Sequence, residues 1–208
     1  MMKHNLIEDW MNRGIIRDEK LIDAFLSIPR EEFILKKYLN ESYGDYPLPI
    51  GYEQTISQPT TVMLMIEALE LKKKDRVLEI GAGSGYCAAI ISKLAKEVIT
   101  TEIVPELAKF AKDNLKKANI NNVNVIESDG SQGYEKEAPY DKIMFTAACP
   151  KIPEHLAPQL KNNGIILAPV GDFFGQKMIK CVKKNNNLDC VSLGYFTFVP
   201  LKGKFGFK

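Results

Sequence analysis

The sequence predicts an α/β fold: a doubly wound, mostly parallel sheet with an N-terminal helical extension and antiparallel strands in the C-terminal part. Three observations carry this expectation. Short β-rich runs alternate with amphipathic helical runs between residues 77 and 168, and such alternation builds a parallel sheet covered by helices. Apolar residues at helical spacing precede that region. Beyond residue 170 the helical runs stop, and two β-rich stretches flank Asn185-Asn186-Asn187, the pattern of a hairpin.

Taken in order, apolar positions 6, 7, 10 and 11, then 21, 22, 25 and 26, follow a 3.6-residue period, punctuated by Gly14 and Pro29. The first 35 or so residues are therefore expected to be helical. Residues 38–59 carry Pro47, Pro49, Pro59, Gly44 and Gly51 with no clear period and read as a long ordered loop, a type of segment that often carries function. Pro59 suits the first position of a helix that runs through Met63, Met65 and Ile66 to about Leu71, because that position does not use its N–H. These three apolar side chains read as core. Strands are expected at 77–80, 98–104, 123–126, 143–146 and 165–168, helices at 86–95, 105–119 and 153–160, and hairpin strands at 178–182 and 191–199. The expected organisation is one domain over 1–208: N-terminal helices and loop (1–71), a ligand-binding core (72–170) and C-terminal strands (171–208).

Composition narrows the function. The 208 residues are 45% hydrophobic and 26% charged, with 28 basic and 26 acidic residues and a net charge of +2. A chain of this size buries about 70% of its unfolded surface without metal or disulfide support. Balanced charge without long single-sign blocks gives no nucleic-acid footprint. No uncharged apolar stretch reaches the roughly 18 to 20 residues of a membrane span, and Glu8 and Asp9 interrupt the N-terminal region before the apolar core of a signal peptide could form. A soluble cytoplasmic protein is expected. Cys87, Cys149, Cys181 and Cys190 lie far apart, with only His4 and His155 beside them, which argues against a disulfide framework and against a zinc site. Cys87 and Cys149 read as small core hydrophobes and His155 as a helix-surface residue.

The most informative stretch is Val77-Leu78-Glu79-Ile80-Gly81-Ala82-Gly83-Ser84-Gly85-Tyr86. A strand that runs into glycines opening a helix lets a ligand approach the backbone and meet the positive helix end. The dinucleotide pattern G-x-G-x-x-G requires Gly or Ala at position 86, and Tyr86 stands there. That argues against NAD and FAD. Glu102, 21 residues after Gly81, falls at the end of the next strand, where a carboxylate accepts hydrogen bonds from both ribose hydroxyls. Asp129-Gly130 follows the third strand at the same sheet edge, where the acid is placed to accept from an adenine amine, and Glu79 adds negative charge near the loop. Adenosine, a cationic centre and an ammonium group match these carboxylates better than a pyrophosphate does. S-adenosylmethionine has all three. Other methyltransferases acting on tRNA or a metabolite, nucleotide-dependent oxidoreductases, and non-catalytic cofactor-binding proteins remain alternatives at this level.

The residues further resemble one family, the protein-L-isoaspartate O-methyltransferases within the class I, Rossmann-like methyltransferases. The resemblance rests on Ile28-Pro29-Arg30-Glu31-Glu32-Phe33, on Ile50-Gly51-Tyr52-Glu53-Gln54-Thr55-Ile56-Ser57-Gln58-Pro59 and on the glycine loop. It continues through Asp129-Gly130, Thr146-Ala147-Ala148, Gln159-Leu160, Pro169-Val170-Gly171 and Phe198-Val199-Pro200-Leu201. Two departures are Cys87, where Gln is common, and Phe145, where Val is common. The resemblance implies methylation of the free carboxylate of L-isoaspartyl residues in damaged proteins, with S-adenosylmethionine as methyl donor and no metal. It places Ser57 at the active site and the cofactor on Gly81, Gly83, Glu102, Asp129 and Gly130, and Glu79 and Gly85 of the same loop are expected to join that cofactor set. An extended peptide is then held by Thr55, Ile56, Ala147, Val199 and Leu201. The implied partners are isoaspartyl proteins and peptides, without nucleic acid or membrane, and the enzyme is expected to be a monomer. Apart from the resemblance, Ser57 is a polar loop residue beside a helix start.

Overall fold

The structure, a computed structural model, describes residues 3–172, 174–185 and 187–208. Two helices, α1 (Lys3–Asn12) and α2 (Glu19–Ser27), open the chain. Each presents an apolar stripe inward, with Leu6 and Trp10 buried on α1 and Leu21, Ile22, Ala24 and Phe25 on α2. Asp18 caps α2 by accepting the Lys20 N–H, which satisfies one of the donors left open at a helix start.

The segment expected to be one long loop contains more structure. A 3-10 helix at Lys36–Glu41 is followed by β1 (Leu48–Gly51) and β2 (Gln54–Ile56), which pair antiparallel. Their two-residue turn puts Tyr52 and Glu53 at φ +54° and +61°. Tight hairpins require that backbone, but they usually fill it with Asn or Gly, so the sequence carried no hairpin signal. Helix α3 (Pro59–Ala68) then starts on Pro59 as expected, with Met63, Met65 and Ile66 buried.

A seven-stranded sheet forms the centre. It consists of β3 (Arg76–Ile80), β4 (Glu97–Glu102), β5 (Val123–Glu127), β6 (Tyr140–Phe145), β7 (Leu160–Asp172), β8 (Gly175–Lys184) and β9 (Asn187–Phe196). Their order is β5-β4-β3-β6-β7-β8-β9. The first five run parallel, and β7-β8 and β8-β9 are antiparallel. Helices α4 (Tyr86–Leu94) and α5 (Pro105–Lys117) make the crossovers from β3 to β4 and from β4 to β5. The chain then returns to the other side of β3 to form β6, so the order reverses between β3 and β6, the place where open α/β sheets bind ligands.

Alternate strand residues feed two cores. Val77, Val98, Met144, Ile165 and Leu167 join the helices on one face, whereas Leu78, Ile99, Ile143, Ile166 and Ala168 face the other. That second face is covered by short 3-10 turns, Glu135–Glu137 and Glu154–Gln159, and by the C-terminal segment. The expected helix at 153–160 is thus a 3-10 turn, with Pro158 inside it, a residue that breaks an α-helical ladder. His155 is also less superficial than expected, because its Nε2 lies 2.8 Å from the Ser131 carbonyl and its ring stacks on Phe205 at 4.0 Å.

The disulfide expectation is corrected. Cys181 and Cys190 face each other across β8 and β9 and form a bond. Wide spacing in sequence was a poor guide, since a hairpin turn brings residues equidistant from it together. Asn186, part of the expected turn, lies outside the described residues, as do Met1 and Met2 of the N-terminal run. Cys149 is buried as expected, and Cys87 is half-buried.

Candidate active site

The carboxyl ends of β3, β4 and β6 open into a solvent-connected cleft lined by the glycine loop, Thr101, Glu102, Gly130 and Thr146, the position at which open α/β sheets bind small ligands. Gly81 and Ala82 both donate their N–H to the Thr101 carbonyl at 2.9 Å, which ties the glycine loop to β4. Gly81 sits at φ +101°, and a Cβ there would lie 2.4 Å from Thr146 Oγ1. The Thr146 hydroxyl, 3.0 Å from the Ile80 carbonyl and 2.5 Å from that of Gly81, holds the loop from the β6 side. On the helix side, buried Asn114 donates to the Ser84 carbonyl at 3.0 Å. The loop is therefore fixed from three directions before any ligand arrives, which lowers the entropic cost of binding.

Glu102 lines the cleft and is almost fully buried. Its two oxygens accept the N–H groups of Gly83 at 2.9 Å and Val104 at 3.0 Å. A carboxylate offers about four lone-pair sites, so two remain for hydroxyl donors. Gly83 and Gly130 line the cleft beside it. A Cβ on Gly130 would lie 2.1 Å from Thr101 Oγ1, so the close approach there demands glycine. A backbone-lined trough next to a carboxylate with spare acceptor capacity fits an adenosine-bearing cofactor.

Three expected cofactor residues sit differently. Glu79 is fully buried beneath the loop and does not line the cleft. One of its oxygens accepts from Thr100 Oγ1 at 2.5 Å. Burial, reinforced by the Glu102 charge, pushes its carboxyl up to about 7, against the Thr100 hydrogen bond that lowers it, and its Oε1 has no hydrogen-bond partner among the described residues. Gly85 packs against α5, where a Cβ would lie 3.2 Å from Leu115 Cγ. Asp129 is turned away to accept the N–H groups of Ser131 at 2.9 Å and Lys204 at 2.8 Å. Burial raises its pKa, and the bonds from Ser131, Lys204 and Gln132 outweigh that, so it stays below its ordinary value. Its oxygens anchor the C-terminal segment, a contact 75 residues away in sequence. No local pattern announces it.

The peptide-side residues do converge. Thr55, Ile56, Ser57, Ala147, Val199 and Leu201 all line the cleft. The C-terminal stretch is held against the end of β6 by Ala148 N–H to the Val199 carbonyl (2.8 Å) and Leu201 N–H to the Ala148 carbonyl (2.9 Å). Ser57 also lines an adjoining depression with Pro47, Thr55, Gln58, Thr61, Thr146, Thr197, Phe198 and Val199, none of them charged. The Ser57 hydroxyl is half-buried and makes no hydrogen bond among the described residues. Sequence reading overlooked Thr146, Asn114 and Lys202 as site components. Only Thr146 had a signal, lying within a segment already singled out. Among the described residues no group of three or more His, Cys, Asp or Glu side chains is arranged to hold a metal ion.

A glycine loop after β3, an acidic residue ending β4 and a cleft at the sheet's reversal point define a class I S-adenosylmethionine-dependent methyltransferase. The same fold occurs in precorrin-6y C5,15-methyltransferase from Geobacter metallireducens, at a TM-score of 0.53 and 19% identity over 70% of this chain and 89% of that one. The profile of Protein-L-isoaspartate(D-aspartate) O-methyltransferase (PCMT) matches residues 1–206, and the chain belongs to that family. A protein-L-isoaspartate O-methyltransferase from Dictyoglomus turgidum is 47% identical over 99% of this chain and 93% of its own length. One from Methanoculleus marisnigri is 44% identical over 99% and 94%. A solved protein-L-isoaspartate O-methyltransferase superposes at a TM-score of 0.89 with 32% identity, covering 99% of this chain and 67% of that one. A Plasmodium falciparum structure in complex with S-adenosyl-L-homocysteine gives 0.82 with 28% identity, over 95% and 97%. The family transfers a methyl group from S-adenosylmethionine to isoaspartyl carboxylates.

Proposed function

We propose that Ser57 orients the isoaspartyl carboxylate for in-line attack, and that Gly81, Gly83, Glu102 and Gly130 hold the cofactor beside it. The observation that carries this reading is the unbonded Ser57 hydroxyl at the junction between the glycine-lined cleft and the neutral depression. S-adenosylmethionine, when bound, supplies an electrophilic methyl group on a sulfonium sulfur. The chain's own task is positional, because a substrate carboxylate with a pKa near 4 is ionised at neutral pH and needs no general base. A hydroxyl donated to the attacking oxygen would stabilise the anion more than the transition state, in which that charge disappears. Ser57 is therefore assigned to the non-attacking oxygen or to neighbouring peptide backbone, fixing direction without quenching the nucleophile. Thr55, Ile56, Ala147, Val199 and Leu201 form the walls for an extended peptide. Gly85, Glu79 and Asp129 are assigned to supporting the cofactor loop and the adenine-side turn from behind.

Residues 1–208 are taken to work as one domain, supported by the C-terminal residues Val199, Leu201 and Lys202 lining the same cleft as the glycine loop, and as a monomer. No described helix is long and apolar enough to cross a membrane, in keeping with the proposed cytoplasmic site of action. Ser57→Ala tests the central assignment. kcat/KM for an isoaspartyl peptide should fall roughly 10- to 100-fold, with S-adenosylhomocysteine affinity nearly unchanged. Wild-type turnover in that variant, or a wild-type ionisation between about pH 5 and 8 that the variant lacks, would refute positioning.

A further inference from the structure

Helix α3 follows Ser57 directly, yet its own N-cap residue, Gln58, makes no side-chain cap. The cap comes from 15 residues upstream. Asp45 Oδ1 accepts the Thr60 N–H at 2.9 Å, and Asp45 Oδ2 accepts the Thr60 hydroxyl at 2.7 Å. The same hydroxyl oxygen accepts from Trp10 Nε1 at 2.7 Å. Trp10 is fully buried and meets Phe25 edge-on at 4.9 Å. Thr60 thus joins the Asp45 carboxylate to a side chain locked in the core. The buried Arg30 guanidinium adds electrostatic attraction to Asp45.

The location of this junction gives it a consequence for the reaction. Asp45 and Thr60 are the two ends of a loop that contains the whole β1–β2 hairpin and the substrate-side residues Gln54, Thr55, Ile56 and Ser57. Among the described residues the Ser57 hydroxyl has no hydrogen-bond partner, so its position is inherited from the backbone. Between Ser57 and Thr60 stand only Gln58 and Pro59, and proline's fixed φ makes that connection stiff. A shift at Thr60 therefore reaches Ser57 with little loss. We propose that the Asp45–Thr60 junction is a clamp that sets the reach and direction of Ser57, making Asp45 and Thr60 positioning residues for methyl transfer. The proposal rests on the assignment of Ser57 to the substrate carboxylate.

The test compares Asp45→Asn, Thr60→Val and Thr60→Ser, each alone and combined with Ser57→Ala. Readouts are kcat and KM on an isoaspartyl peptide, calorimetric titration with S-adenosylhomocysteine, and the melting temperature. An amide offers one acceptor oxygen where the carboxylate offers two, so Asp45→Asn loosens the clamp without emptying its space. Asp45→Asn and Thr60→Val should each lower kcat/KM roughly 5- to 50-fold, because misplacement of about 1 Å costs up to about 100-fold. Cofactor-product affinity should change less than about twofold, within ordinary variant scatter. Thr60→Ser, which keeps the hydroxyl, should retain most activity. In the Ser57→Ala background, Asp45→Asn should add little, because the clamp then has nothing to aim. A merely structural role predicts the opposite: lower melting temperature and weaker cofactor-product binding together, with losses that multiply across the Ser57 pair. Either that pattern or unchanged kcat/KM in Asp45→Asn overturns the clamp. Wild-type turnover in Ser57→Ala instead removes the premise, and the two failures are distinct.

Discussion

Replacing Glu79 by glutamine isolates one buried carboxyl group beneath the cofactor loop. Glu79 has no exposed surface, and its carboxyl sits at about 7 against an ordinary 4.5. At about 1.36 kcal/mol per pH unit that gap corresponds to roughly 3 kcal/mol. The sign follows from proton counting. Between the two values the folded protein keeps a proton that the unfolded chain has released, so stability falls as pH rises. The contribution is whole below the unfolded value, declines towards 7 and levels off above it. The amide introduced by Glu79→Gln would keep an acceptor for Thr100 Oγ1 and carry no proton to lose. Cys87, whose thiol burial pushes well above its ordinary value, stays neutral throughout. Urea unfolding of both proteins at half-unit steps from pH 5.5 to 8.5, under reducing conditions, should show the wild type losing roughly 2 kcal/mol relative to the variant. Equal m-values would show that the change lies in stability rather than in compactness. Curves that stay parallel within about 0.5 kcal/mol would refute the reasoning, because no differential proton would then exist.

Glu102→Ala should weaken S-adenosylhomocysteine binding by about 2 to 4 kcal/mol, the loss of two charge-assisted hydrogen bonds, as read by calorimetric titration. Gly203→Ala would place a Cβ 2.0 Å from Asp129 Oδ1 at a φ of +117°. It should lower stability by about 1 to 3 kcal/mol and weaken binding of the same ligand, because Leu201 and Lys202 line the cleft; a variant that melts and binds like the wild type would count against this docking. The product of labelling an isoaspartyl peptide should be a base-labile methyl ester formed at full rate in chelator, since no water needs activating, and base-stable methylation or loss of activity in chelator would contradict the assigned chemistry.

Legibility in the sequence followed the range of the interactions involved. The glycine loop, Pro59 at a helix start and the alternation from β3 to β7 are local patterns, and the structure places them where the pattern did. The β1–β2 hairpin was hidden because Tyr52 and Glu53 occupy left-handed backbone that neither residue advertises. The Glu154–Gln159 turn kept its place and changed its type, because Pro158 denies it an α-helical ladder. Asp129 shows the main limit. Its sequence context suited adenine, yet a distant segment takes its oxygens. Glu79 shows a second limit, since acidic identity alone does not say whether a side chain faces the ligand or the interior.

The uncharged depression around Ser57 also bears on competition. Every protein in a cell displays aspartate, glutamate and C-terminal carboxylates, and ordinary residues far outnumber damaged ones. A lysine or arginine among Pro47, Thr55, Gln58, Thr61, Thr146 and Thr197 would attract all of them, and each would occupy the site as an inhibitor. A wall of hydroxyls and an amide gives a carboxylate little reason to stay unless the backbone around it also fits. Weak affinity for the common group leaves the site vacant for the rare one.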